Sequence, residues 1–121
     1  MLTLSGILII FVAILHLYFM ILEMFLWTKP RGMKAFGLES REFAEKTKVL
    51  AANQGLYNGF LVAGLIYALI NNNQNLMQFF LICVILAGTF GWYSTRKFKL
   101  LLVQALPAII ALITLYIANN F

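Results

Sequence analysis

FLWTKPRGMKAFGLESREFAEKTK, residues Phe25–Lys48, is where a long apolar run gives way to six closely spaced basic residues. The other three of the nine Lys and Arg residues fall in YSTRKFK, Tyr93–Lys99. Outside these two segments the chain is almost wholly apolar. The apolar stretches therefore read as four membrane spans, at about 2–27, 49–70, 76–93 and 98–118. Each approaches or exceeds the ~20 residues that cross hydrocarbon. Basic loops favour the cytoplasmic side, so both basic segments are expected in the cytoplasm and both termini outside. The expected fold is all-α. It is a polytopic, up-down bundle of four transmembrane helices, forming one domain over residues 1–121. A cytoplasmic basic loop is expected at about 28–48.

Composition supports lipid as the solvent. The 121 residues are 63% hydrophobic, whereas soluble domains are about half apolar. A net charge of +5 could suit nucleic acid. These cations sit beside helix ends, however, where orientation and anionic headgroups account for them, so no nucleic-acid partner is expected. The single Cys83 excludes an intrachain disulfide. The first segment lacks a basic n-region and its apolar stretch is long, so it reads as a span rather than a signal peptide.

The loops carry local signals. Thr28–Gly32 reads as a turn. Ser40 is placed as an N-cap, with Glu42 in the first turn and Glu42/Lys46 as a favoured i,i+4 pair. Span two is thus expected to start as a cytoplasmic helical extension near Ser40. The uncharged loop Asn71–Asn75 is expected outside. Trp27, Trp92 and Tyr93 mark one interface, and Tyr67 and Tyr116 the other.

Several polar residues lie inside the spans. His16 and Glu23 are seven apart, so they share one face of span one, with Met20 and Trp27 on the same stripe. Span two carries Asn53, Gln54, Tyr57 and Asn58, with Gln54 and Asn58 one turn apart. Span four carries Gln104 and then Pro107. By depth, His16, Glu23, Gln54, Tyr57, Asn58 and Gln104 are expected to converge on one polar cavity in the inner half of the membrane. A charged side chain at a helix centre costs ~2.5–3.5 kcal/mol on insertion scales. Glu23 is expected to meet that cost by pairing with His16⁺ or amide donors, or by taking up a proton. The plainer reading is that these amides tie helices together, at about 0.6 kcal/mol per interhelical bond.

Ala51, Gly55, Gly59 and Ala63 repeat at spacing four, as do Ala87 and Gly91. Gly55, Gly59, Ala87 and Gly91 are expected to pack helices closely. Pro107 should kink span four and free the carbonyl of Val103. One His and one intramembrane Glu fall short of a typical metal site, so no metal is expected. No phosphate loop, nucleophile triad or redox cysteine pair is present, and no cofactor is expected.

The stretches HLYFMILEMFLWTKPRGMKAFG (His16–Gly37) and AANQGLYNGFLVAGL (Ala51–Leu65) resemble a known family. So do AGTFGWY (Ala87–Tyr93) and VQALPAIIAL (Val103–Leu112). The family is a group of small bacterial and fungal integral membrane proteins, the domain of unknown function numbered thirteen hundred and four. The resemblance spans nearly the whole chain and implies four helices in a plasma membrane. Some members carry an "epimerase" label, which no nucleotide motif or catalytic pair here supports.

Three functions fit these residues. The first is binding or transport of a small solute, with or without a coupled proton, at His16, Glu23, Gln54, Tyr57, Asn58 and Gln104. The second is an isomerase-like membrane enzyme acting on a lipid or isoprenoid, with His16 and Glu23 as acid and base. Their axial separation of roughly 10 Å is large for one proton transfer. The third is a structural or assembly partner without a small ligand. Four spans make a narrow pathway, which leaves room for a homodimer. Whether the protein is an enzyme stays open at this level.

Overall fold

The computed structural model describes residues 2–121 and contains five helices. They are α1 (Leu4–Phe25), α2 (Pro30–Phe36), α3 (Arg41–Ile70), α4 (Gln74–Thr95) and α5 (Phe98–Asn120). By length and composition, α1, α3, α4 and α5 can each cross a membrane. Their outer faces bear large apolar side chains, among them Phe11 at 50% exposed and Leu86 at 64%. A helix that is apolar all round suits a lipid solvent. These are the properties of a multi-pass membrane protein.

Each helix starts and stops for a local reason. The Thr3 hydroxyl accepts the Gly6 N–H at 3.0 Å, capping α1. Ser40 Oγ accepts the Phe43 N–H at 3.0 Å, as its N-cap role requires. Lys46 and Glu42 pair at 3.3 Å one turn apart, on an exposed face where such a pair adds little. α3 then runs for 30 residues, about 45 Å. This exceeds the ~30 Å hydrocarbon thickness, so the charged first two turns extend beyond it. At its far end Asn72 adopts φ 48°, and Asn73 N–H reaches the Ala68 carbonyl. Asn73 in turn caps α4 by accepting the Leu76 N–H at 3.1 Å. α4 covers 22 residues, so the third span is longer than the stretch 76–93.

Two features depart from the sequence expectation. The segment after α1 is more than a turn: it contains the short helix α2. Pro30 occupies its first turn, where the missing N–H has no intrahelical partner to lose. Gly37 ends it in the left-handed region at φ 61°, its N–H bonded to the Lys34 carbonyl. The second departure is in α5. Ahead of Pro107, residues Leu101–Ala105 widen into a π-helical turn, with the Leu106 N–H bonded to the Leu101 carbonyl. This wider turn accommodates the proline ring. The usual donor to the Leu102 carbonyl is redirected, and the usual donor to Val103 is absent from the proline. Two carbonyls, rather than Val103 alone, thus lose their α-helical partners.

The chain falls into two compact units. One joins the residues up to Leu15 with Ala63–Phe121, and its core includes Ile9, Val12, Leu65, Leu81 and Leu115. Within it, Gly88 on α4 faces the π-turn. A Cβ there would lie 2.7 Å from the Ala105 backbone nitrogen and 2.9 Å from Gln104 Cβ. Gly88 is buried whereas Ala87 is exposed, so close packing on α4 runs through Gly88 rather than Ala87. Gly91 meets Leu100 at ordinary contact distance. The second unit is His16–Val62, the end of α1, α2 and most of α3. Leu22, Ala44 and Ala51 are buried there.

Candidate functional site

The polar centre of the second unit is built on a close helix crossing. Gly55 of α3 lies against α1. An added Cβ would stand 3.1 Å from Glu23 Cβ, 3.1 Å from the Met20 carbonyl oxygen and 2.5 Å from Met24 Cγ. Gly59, one turn on, would meet Met20 Sδ at 2.9 Å. Small residues permit this approach, which brings the side chains flanking them within hydrogen-bond reach. Met20 is therefore packing material. Ala51 continues the same face and is 5% exposed.

At this crossing the Asn58 side-chain amide donates to Glu23 Oε1. Both residues are half-buried. Asn58 lies ten residues, about 15 Å of helix, beyond Lys48, the last charge on α3. The pair thus sits well inside the apolar part of that span. A carboxyl held by an amide in this setting retains acceptor capacity on its other oxygen lone pairs. It can meet a cation, a hydrogen-bond donor or a proton.

The neighbouring polar groups of α3 point elsewhere. Tyr57 is 56% exposed. Gln54 and Asn53 are also exposed. They form a patch on the outer side of the helix, adjoining Asn58 through Gln54 one turn below. His16 is 1% exposed and packs edge-on against Phe19, ring centroids 5.4 Å apart. It stands two turns, about 10 Å, from Glu23 along α1. Gln104 belongs to the other unit, on the π-turn beside Gly88. Of the six expected site residues, the structure thus joins Glu23 and Asn58 directly. It sets Gln54 and Tyr57 at the surface nearby and encloses His16.

A second fixed point lies toward the basic segment. Trp27 Nε1 donates to Thr47 Oγ1 at 3.0 Å, and Thr47 donates onward to the Phe43 carbonyl at 2.8 Å. The Trp27 ring packs on Phe36 of α2 with centroids 5.0 Å apart. Gly32 of α2 is buried against the Leu26 carbonyl, closer than any side chain would allow. These contacts pin α2 against the end of α1 and tie that end to the first turns of α3. Among the described residues, no three His, Cys, Asp or Glu side chains gather as a metal-binding group. The Glu23 carboxyl and the Asn58 amide offer hydrogen bonding and charge at the crossing.

A family model described as a protein of unknown function, DUF1304, matches residues 10–116. A protein of Lactococcus lactis subsp. lactis (strain IL1403), the uncharacterized protein YpaA, is 34% identical over 114 residues. The match covers 92% of this chain and 95% of that protein. No solved structure matches.

Proposed function

The chain belongs to the DUF1304 family, and we propose that within it this protein binds a small solute at the Glu23–Asn58 pair, as a receptor or carrier in the plasma membrane. The observation that carries this reading is the carboxyl of Glu23 held by Asn58 at a glycine-lined crossing inside an apolar span. A carboxyl there is expensive unless it serves a purpose, and ionisable groups inside membranes mark solute, ion or proton paths. The solute presents a cation or a strong hydrogen-bond donor to Glu23. Gln54 and Tyr57, exposed next to the pair, orient its remainder. Both basic segments face the cytoplasm and both termini face outside.

Guanidinium and methylammonium serve as simple cationic probes. In proteoliposomes on a solid-supported membrane, a step in either probe should give a charge-displacement current. Glu23→Gln keeps the size of the side chain but removes its charge, and it should reduce the current at least about tenfold, the worth of one charge-assisted hydrogen bond. Equal currents in both proteins, or none in either, would remove the reading.

A second reading rests on a separate observation. Asn53, Gln54 and Tyr57 leave amides and a hydroxyl on the outer side of a membrane helix. Such groups are poorly accommodated by hydrocarbon and seek partners. Each amide both donates and accepts, so the same patch on a second copy would satisfy it. In that reading the patch joins two protomers, and the Glu23–Asn58 bond ties helices together. The enclosure of His16 and its distance from Glu23 give an acid–base enzyme less support.

A further inference from the structure

The unit that joins the start of α1 to Ala63–Phe121 contains a cavity of about 360 Å³, far along α3 from the basic segment. It lies among the first turn of α1, the end of α3, the start of α4 and the end of α5. Its volume falls at the lower end of ligand cavities, about 300–1,000 Å³. We propose that this cavity is a binding site for a neutral, hydroxyl-rich group carrying an apolar tail, such as a simple glycoside.

The polar lining determines the class. Thr3, Ser5, Asn72, Gln74 and Asn119 supply hydroxyls and amides, and among the described residues no lining side chain is charged. A charged guest would find no counter-ion among these side chains. Groups that both donate and accept suit a guest that does the same, which is the pattern of hydroxyls. The hydroxyls form an ordered wall: Thr3 Oγ1 and Ser5 Oγ share a hydrogen bond at 3.1 Å, and Ser5 is only 6% exposed.

Neighbouring amides show a division of labour. Asn71 donates to the Tyr67 carbonyl, Asn73 caps α4, and Asn120 donates to the Tyr116 carbonyl. These three side chains serve their own helix ends. The amides of Asn72, Gln74 and Asn119, interleaved with them in sequence, line the cavity instead. Among the described residues they form no side-chain hydrogen bond. Beneath them the floor is apolar, with Met77 4% exposed and Leu115 3%. A tail packs against that floor while the hydroxyls meet the rim.

Methyl NMR tests this on the full chain in nanodiscs, with labelled methionine. Met77 reports on the cavity, and Met20 and Met24, in the other unit, serve as controls. Octyl glucoside below its micelle concentration should shift Met77 saturably and leave Met20 and Met24 unmoved. Octanoate and octylammonium, with tails of the same length, should not. Glucose alone separates the two sources of the chemistry: a Met77 shift assigns a free sugar, and a shift with the glucoside only assigns a membrane-anchored headgroup. Ala118→Trp, which puts an indole on the lining and narrows the cavity, should weaken the shift. Asn119→Leu, at the exposed end of α5, provides a second variant that leaves the packed interior alone. It should weaken the affinity up to about tenfold, the loss of one hydrogen bond. The proposal is overturned if Met77 does not move, if the charged analogues move it equally, or if Asn119→Leu leaves the affinity unchanged. None of these outcomes depends on Glu23.

Discussion

Gly32→Ala is expected to be the most damaging single methyl addition in the protein. The new Cβ would fall on the Leu26 carbonyl carbon and oxygen. Both are backbone atoms, so no rotamer change relieves the clash. Either α2 lifts from the end of α1 or the turn after Phe25 rearranges. Overpacking of this kind costs about 1–3 kcal/mol, and more where backbone must move. The Trp27–Thr47 hydrogen bond and the Trp27–Phe36 contact depend on the same placement and should fail with it. Thermal unfolding in detergent, followed by Trp fluorescence, should show a large fall in midpoint and a red-shifted Trp27 signal. Gly37→Ala, at the left-handed end of α2, provides a milder comparison. A Gly32→Ala protein with wild-type midpoint and emission would show that α2 does not dock in this way.

Gly55→Leu should separate stability from the polar centre less cleanly but damage the centre more. Its side chain must displace Met24, yet the Met20 carbonyl and Glu23 Cβ, 3.1 Å from an added Cβ, cannot swing aside. The crossing of α1 and α3 must open. The Asn58–Glu23 hydrogen bond is then lost even though neither partner has changed. The expected result is loss of the probe-evoked current to the level of Glu23→Gln, with a drop in stability of about 1–3 kcal/mol. Gly55→Ala should fall between wild type and Gly55→Leu, because much of its clash is with the flexible Met24 side chain. A Gly55→Leu protein that keeps full current would dissociate the glycine crossing from binding.

The damage differs between these glycines for reasons the sequence partly conceals. Gly55 was legible because it repeats at spacing four with Ala51 and Gly59 and stands beside amides. Gly32 was not, because Thr28–Gly32 carries turn signals, and Pro30 suits a turn and a helix start equally well. The long helices themselves followed from apolar length, and Ser40 and the Glu42/Lys46 pair from capping and charge rules. Orientation of each helix about its axis was harder to read. In a lipid solvent the inner and outer faces are both apolar, so periodicity says little about which is buried. Hence spacing alone does not distinguish Ala87, which is exposed, from Gly88, which makes the close approach on α4, nor does it show that Gln54 and Tyr57 lie at the surface. Glu23 and Asn58, one from each of two spans, are joined by a hydrogen bond. The π-turn before Pro107 lay outside sequence rules, since a proline predicts a disrupted hydrogen bond but not how the helix absorbs it.

Native mass spectrometry on protein released from nanodiscs, wild type beside Glu23→Gln, tests the central claim most directly. It reports bound small molecules and protomer number in one spectrum. Binding at the Glu23–Asn58 pair predicts a small-molecule adduct on the wild type that is absent from Glu23→Gln, with the same number of protomers in both. No adduct on either protein, together with a changed protomer number in Glu23→Gln, would contradict it and assign the pair to assembly.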